Sequence, residues 1–274
     1  MGHVARHARP PEPQRGGGFR RLVANLLIAV GIILLSVAAG LWGLAQWRYR
    51  VQDRVNRELA VYATVPDEPS DESSDESQRG PQVDWEGLKA VNDEVVGWLQ
   101  VPGTSINYPV YQGADNEHYL RHSAKGEWTV GGQLFLDCDN TPPGMVDPLS
   151  LVYGHQMFDG SMFDRIGEMR DQESFDAIDT VWYVTEQESW ECEPLFVFLA
   201  QEDDQTVRTF AWESKEAFRA FLSERLATAP AARADAAELI ARTDHVLCLI
   251  TCNYLQAYGG HGRTILVCVP KEAS

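Results

Sequence analysis

The sequence has little positive charge outside its N-terminus. It holds 23 Lys and Arg against 40 Asp and Glu, which gives a formal net charge of −17 at pH 7. The first 47 residues carry five Arg and one Glu, so a charge of −21 is left for the remainder. Affinity for nucleic acid comes largely from Lys and Arg that neutralise phosphate. The composition therefore argues against nucleic acid as a partner.

Metal-ligand motifs are also lacking. The chain has no Cys-x-x-Cys pair, so a zinc module is not indicated. His118 and His122 have the i, i+4 spacing of helical metal ligands, but no Glu completes an H-E-x-x-H motif, and we interpret both as structural. An odd total of five cysteines leaves at least one thiol free. The others are buried thiols or disulfide partners, and comprise Cys138, Cys192, Cys248 and Cys268.

Formal charge is absent from 26 consecutive residues, 22–47. The apolar residues 22–44 would form a helix of about 34 Å, long enough to cross a hydrocarbon core of about 30 Å. Five Arg precede this run, and Trp42, Trp47 and Tyr49 cluster at its far end like an interfacial aromatic belt. We therefore predict an uncleaved, single-pass type II anchor in the cell membrane, with the N-terminus in the cytoplasm and the remainder extracellular.

A secretory signal peptide is the alternative interpretation of this segment. Ser36, Val37 and Ala38 resemble the small residues of a cleavage site. Cleavage there would leave an apolar tail on the mature protein, and the run is longer than a usual signal-peptide core. The anchor is the favoured prediction.

After the span, Val51, Val55, Leu59 and Tyr62 recur at a helical spacing and predict a short juxtamembrane helix. Residues 67–76 then hold six acids and no base, as is typical of a solvated linker. The predicted organisation is a cytoplasmic basic tail (1–21), a transmembrane anchor (22–47), a juxtamembrane helix with an acidic linker (48–82) and one globular domain (83–274).

Eight strand-like runs follow, separated by Gly, Pro, Asp and Asn turn signals. They read VVGWLQV, NYPVYQ, GGQLFLDC, LSLVYGH, TVWYVT, PLFVFLA, DHVLCLITC and RTILVCV. Asp84 and Ser214 are candidate helix caps, the latter for a helix at 215–228, and RADAAELIARTDH can add another. This distribution predicts a mostly β domain, a closed or nearly closed antiparallel β-barrel with peripheral helices, rather than a βαβ sheet.

The last two strand-like runs would bring two candidate catalytic side chains together. One ends in Cys252 and the next begins with Arg263, so an antiparallel hairpin would place both at the same rim of the sheet. A positive neighbour favours the thiolate and stabilises an oxyanion, as acyl transfer requires. His155, at a strand end after a Gly turn, is the candidate general acid and base. His261, beside Arg263, is its rival.

Several segments resemble class B sortases, the cysteine transpeptidases of Gram-positive bacteria. LVYGHQMFDGSMF is similar to their YGHNM-x-x-G-x-MF block, and LITCNY and RTILV resemble their T-L-x-T-C block and the Arg strand that follows. Residues 96–119 and GGQLFLDCDN resemble the first barrel strands, and the helix before the catalytic strand favours class B. Three positions depart from the pattern: Gln156, Cys248 and Asn253.

The resemblance implies Cys252 as nucleophile, His155 as general acid and then base, and Arg263 as oxyanion and substrate stabiliser. The implied partners are secreted proteins with a C-terminal sorting signal, whose Thr carbonyl is attacked to give a thioester. An amine of a peptidoglycan precursor or a pilin then resolves the thioester. The implied reaction needs no cofactor and no metal.

Other classes of protein fit these residues less well. A cell-wall cysteine peptidase stays open as an alternative. An L,D-transpeptidase would carry an S-H-G-C stretch, which is absent, and a papain-like peptidase would place its Cys at a helix start. A non-catalytic anchored binding domain would have no need of the retained Cys, His and Arg.

Overall fold

The structure is a computed structural model that describes residues 17–65, 80–253 and 260–271. The chain divides into two compact units, Met1–Arg48 and Tyr49–Ser274. Helix α1 (Gly17–Ala60) begins in the first unit and is long and apolar enough to cross a membrane. A signal sequence near the N-terminus has the same properties. Most of the predicted basic tail and the acidic run 67–76 lie outside the described residues.

The second unit contains eleven strands and six further helices among its described residues. The strands are β1 (Ala63–Thr64), β2 (Gln82–Val83), β3 (Val95–Gln100), β4 (Asn107–Tyr111), β5 (Leu134–Leu136), β6 (Leu149–Tyr153), β7 (Val181–Val184), β8 (Ser189–Gln201), β9 (Ala231–Ala232), β10 (Val246–Asn253) and β11 (Gly262–Pro270). The helices are α2 (Trp85–Val91), α3 (His118–Arg121), α4 (Asp164–Glu168), α5 (Gln172–Asp176), α6 (Lys215–Leu226) and α7 (Ala236–Arg242), with a 3₁₀ turn at Gln205–Arg208.

Eight strands close into a barrel in the order β11-β10-β6-β5-β4-β3-β7-β8, and β8 pairs back to β11. These are the eight strands predicted from the sequence, so the barrel with peripheral helices is confirmed. The pairing is mixed rather than wholly antiparallel, because β4–β5 and β6–β10 are parallel. Parallel neighbours need long crossover connections, and the segments between these strand pairs provide them.

Alternation along β8 separates two of the three apolar clusters of the domain. On β8, Val197 packs inside with Leu136 and Leu249, whereas Phe196 and Phe198 face outward. The outward residues pack in the cluster that also contains apolar residues of α6 and α7. This arrangement explains why β8 reads as a continuous apolar run rather than an alternating one.

The predicted helix caps are formed. The side chain of Asp84 accepts a hydrogen bond from Gly87 N at 2.9 Å at the start of α2. Ser214 accepts from Ala217 N at 3.1 Å, and α6 ends at Leu226, two residues before the predicted end. Each cap satisfies a backbone N–H that has no partner within the helix.

The juxtamembrane helix is the C-terminal part of α1 and belongs to the second unit. Leu59 is 3% exposed and packs in a cluster with Trp98 and Tyr111, and Gln52 is also buried. We expected the globular domain to begin near residue 83, but the compact unit starts at Tyr49. The difference arises because this helix buries one face against the barrel.

Candidate active site

The hairpin of β10 and β11 brings Cys252 and Arg263 together. The strands are antiparallel, with Cys252 directly opposite Arg263. Arg263 Nη1 lies 3.5 Å from Cys252 Sγ, and Cys252 is partly exposed. The pairing predicted from the two strand ends is therefore formed, and a guanidinium lies beside a thiol that solvent can reach.

His155 lies at the same rim, on the other side of β10. Strands β6 and β10 are parallel with Tyr153 level with Ile250, and Gly154 N donates to Ile250 O at 3.0 Å. His155 and Cys252 each lie two residues beyond these positions, and the charge of Arg263 acts on the His155 imidazole. The structure thus brings the three predicted site residues to one rim of the barrel.

The surroundings of His155 favour its neutral form. Burial lowers the pKa of the imidazole, and the positive charges of Arg121 and Arg263 lower it further, while a hydrogen bond to Leu120 opposes them. His155 Nε2 lies 2.8 Å from the Leu120 carbonyl oxygen. Because a carbonyl only accepts, Nε2 carries the proton, and Nδ1 of the neutral ring keeps its lone pair. Nδ1 is then the atom that can accept a proton.

Gly154 allows the chain to pass close to the barrel core before His155. A Cβ at this position would lie 2.6 Å from side-chain atoms of both Leu134 and Phe163. No other residue fits without displacing these two core side chains. The location of His155 therefore depends on the absence of a side chain at the preceding residue.

The sequence did not identify a carboxylate that contacts Arg263. Arg263 Nη2 lies 2.8 Å from Glu202 Oε1, and Glu202 comes directly after β8, the strand that pairs with β11. The side chain of His261 is 79% exposed, with Nδ1 3.9 Å from Glu202 Oε2. The rival histidine thus contacts the far side of Glu202. Only the register of β8 against β11 distinguishes Glu202 from the other 39 acids.

The three departures from the class B pattern have local structural roles. The Asn253 side chain is buried over Gly262, where an added Cβ would lie 2.4 Å from Asn253 Oδ1. Gln156 lies over Gly167 in the same way, with its Nε2 2.6 Å from such a Cβ. Cys248 is a buried barrel residue on β10. Residues 254–259, in the loop after Asn253, lie outside the described residues.

All five cysteines are free thiols. Cys192, Cys248 and Cys268 are buried in the barrel wall, and burial raises the pKa of each. Cys138 is partly exposed, and its pKa is also raised, by desolvation and then by adjacent acids. The structure therefore contains no disulfide bond between these cysteines.

The donor atoms of Asp137, Cys138 and Asp139 lie within 4.8 Å of one another, as metal ligands do. Both carboxylates face Arg208, however: Asp137 at 2.8 Å and Asp139 at 2.6 Å. Tyr153 OH also donates to Asp137, at 2.8 Å. A guanidinium already provides the positive charge here, so the set is a poor fit for a cation.

Comparison with known proteins agrees with this geometry. A family model described as a sortase domain matches residues 99–271. A sortase B of Listeria monocytogenes is 34% identical over 122 residues, which cover 44% of this chain and 49% of that protein. A sortase B of Staphylococcus aureus is 27% identical over 140 residues, covering 51% and 57%. The chain thus spans about half the length of the curated relatives it matches.

Solved structures show the same fold. Clostridium perfringens sortase B is 27% identical, with a TM-score of 0.60 over 68% of this chain and 99% of that one. Sortase B from B. anthracis, at 23% identity, has a TM-score of 0.66 over 83% of this chain and 99% of that one. With its sortase domain, eight-stranded barrel and sortase B relatives, this chain belongs to the sortase family.

Proposed function

We propose that the protein is a class B sortase, a membrane-anchored cysteine transpeptidase that attaches secreted proteins to a cell-wall amine. The observation that carries this proposal is the cross-strand pair of Cys252 and Arg263, with Nη1 at 3.5 Å from Sγ. A thiol beside a guanidinium, with a histidine just beyond the end of the neighbouring strand, suits acyl transfer.

In the proposed first step, the Cys252 thiolate attacks the Thr carbonyl carbon of a C-terminal sorting motif. Arg263 stabilises the negative charge that develops on the carbonyl oxygen. The C–N bond then breaks, and protonated His155 gives its proton to the departing amine. The products are a thioester on Cys252 and a free C-terminal peptide.

In the second step, an amine of a peptidoglycan precursor or a pilin attacks the thioester. His155, now neutral, accepts the proton of the attacking amine, and the Cys252 thiolate leaves as the new amide forms. Since burial lowers the pKa of His155, only a minor population of the resting enzyme holds the thiolate and imidazolium together. We infer that the reaction proceeds through this minor population.

Site assignment is tested by mass spectrometry of the intact chain after incubation with a cleavable sorting peptide and an amine. We expect an acyl adduct on Cys252 and an amide product, and we expect neither from Cys252→Ala. An adduct in Cys252→Ala would refute the nucleophile. Hydrolysis alone in the presence of a broad amine panel would instead favour the cell-wall peptidase, and binding without any adduct would favour a non-catalytic domain.

A further inference from the structure

We propose that Gln52, on the juxtamembrane part of α1, is a positioning residue for His155. The inference rests on the proposed catalytic role of His155. It extends the functional unit beyond the barrel, because the helix residues involved lie far upstream of the strands that carry the site.

Gln52 forms two hydrogen bonds with one short piece of backbone. Its Oε1 accepts from Gly131 N at 3.1 Å, and its Nε2 donates to Gly132 O at 3.1 Å. The residue is 1% exposed, and Asn56 Oδ1 accepts a second hydrogen bond from Gln52 Nε2 at 3.1 Å. The amide is thereby held in one orientation. A buried polar side chain with both ends bonded to backbone fixes that backbone in place.

Gly132 lies directly against the carbonyl that His155 uses. Its φ is +55°, and a Cβ there would lie 2.0 Å from Tyr119 O and 2.7 Å from Leu120 O. The next residue is tied to the same segment, because Gln133 N donates to Tyr119 O at 2.9 Å. The backbone that Gln52 holds therefore packs without a gap against the Tyr119–Leu120 peptide.

The Leu120 carbonyl in turn accepts the hydrogen bond from His155 Nε2 at 2.8 Å. This bond selects the tautomer that leaves the Nδ1 lone pair for the reaction. A continuous set of contacts thus runs from Gln52 through Gly132 and Leu120 to His155. A displaced carbonyl would allow the ring to rotate or to exchange tautomers.

Asn56 makes a second contact, one turn along the same face of the helix. Its Nδ2 lies 3.8 Å from Met162 Sδ, and Met162 has a φ of +54°. Met162 is bridged to Gln156, and the following Phe163 N donates to His155 O at 2.8 Å. The helix therefore contacts the 131–132 backbone, which packs against the Leu120 carbonyl, and also the side chain of Met162 in the loop after His155.

The deciding variant is Gln52→Met in the full chain, solubilised in detergent. Methionine keeps the length and helix propensity of Gln but makes neither hydrogen bond. We expect kcat for the sorting peptide to fall about tenfold with KM within about twofold, as for a misplaced catalytic group. Arg57→Ala, an exposed position on the same helix whose contact is Asp53, should leave both values unchanged.

A second readout does not depend on turnover. With ¹⁵N-labelled histidine, native His155, assigned by its loss in His155→Gln, should appear as the Nε2–H tautomer. In Gln52→Met we expect a mixture of tautomers and a lower His155 pKa, because the Leu120 bond stabilises the imidazolium. Leu59→Val weakens the packing of the same helix but leaves the Gln52 hydrogen bonds in place, so this variant should keep the native tautomer.

A native tautomer and a native kcat in Gln52→Met would overturn the proposal, and so would an equal loss of kcat in Leu59→Val. If Gln52→Met does not fold, Gln52→Glu, which keeps the acceptor for Gly131 N and loses the donor to Gly132 O, takes its place with the same expected outcomes. A native chain that fails to process sorting peptides would refute the proposed function, while the tautomer measurement would still decide the role of Gln52.

Discussion

At the scale of single residues, the two terminal nitrogens of Arg263 have different partners, and Nη1 also donates to Gly262 O at 3.2 Å. One guanidinium nitrogen contacts the thiol of Cys252, and the other contacts the carboxylate of Glu202. A planar guanidinium held at two points presents a fixed hydrogen-bonding edge. The guanidinium that we propose as the oxyanion donor is thus oriented before substrate arrives.

Removing the three site groups should have distinct effects. Cys252→Ala should abolish the acyl adduct. Arg263→Ala should retain a reactive thiol but lose on the order of 10²- to 10³-fold in turnover, as when one oxyanion donor is removed. His155→Ala should stall proton transfer to the leaving amine. Single-turnover mass spectrometry of each variant separates these outcomes. If His155→Ala turns over normally and His261→Ala stalls, the general acid and base is His261 rather than His155.

Glu202→Gln should have a milder effect than Arg263→Ala. The pair is partly solvent-exposed, and such pairs are worth about 0–1 kcal/mol, which corresponds to a loss of up to about fivefold in kcat/KM. Steady-state kinetics with a sorting peptide measures this. Asp203→Asn removes the same charge from the adjacent exposed residue and is the control. Equal effects of the two variants would show that only net charge matters.

The sequence predicted Cys252, His155 and Arg263 because side-chain chemistry coincided with strand ends. It did not predict the Leu120 carbonyl, since a backbone acceptor leaves no trace in residue type. Nor did it predict Gln52, which lies between Val51 and Val55 of the predicted apolar face and reads as one more polar helix residue. Partners that act through backbone or tertiary register become visible only in three dimensions.

At the scale of elements, the segment after β8 is fixed to the barrel by a buried carboxylate. Asp137 follows β5, and its oxygens accept from Arg208 Nε at 2.8 Å and Nη2 at 2.9 Å. Burial alone would raise the pKa of Asp137, but hydrogen bonds from Arg208, Asp139 N and Tyr153 outweigh it and hold that pKa below its ordinary value. Tyr153 lies two residues before His155, so this ion pair supports the same rim.

Asp137→Asn should destabilise the domain by about 3 kcal/mol at pH 7, as expected when a buried ion pair loses one partner. Because the folded pKa is depressed, this stabilisation is present above the ordinary value of about 3.8 and is lost as pH falls through the folded pKa. Urea unfolding at pH 7 and near pH 3 should therefore show a smaller difference between native and variant at the lower pH. Asp139→Asn, at an exposed carboxylate, is the control.

Strand positions were predictable because each barrel strand is an apolar run bounded by turn residues. The parallel pairing of β6 with β10 was not, because more than 90 residues separate them and the alternation is the same in both pairing directions. This pairing matters for the site, since it brings the ends of β6 and β10, and with them His155 and Cys252, to the same rim.

At the scale of the whole molecule, the compact unit begins at Tyr49. A fragment of residues 49–274 should be soluble and process sorting peptide. A fragment of residues 83–274 loses Leu59, Gln52 and the pairing of β1 with β2, and should be less stable and slower. Thermal unfolding and kinetics of the two fragments, each compared with the full chain, provide the test. If the two fragments have equal unfolding temperatures and equal activity, the domain begins near residue 83.

The apolar part of α1 predicts on which side of the membrane the catalytic domain lies. If it is an uncleaved type II anchor, protease added to intact protoplasts should digest the catalytic domain while a cytoplasmic control survives. Persistence of the domain when an external control is digested would reject this orientation. A mature protein that begins at Ala39 would instead identify a signal peptide.

Because three thiols are buried in the barrel wall, their reactivity towards an alkylating reagent reports whether the barrel is folded. In the native chain an alkylating reagent meets only Cys252 and Cys138 at the surface, whereas Cys192, Cys248 and Cys268 become accessible only when the barrel opens. The number of alkyl groups added per chain should therefore report the fraction of intact protein in a preparation. Since no cross-link holds the fold together, reductant can be present until the reagent is added.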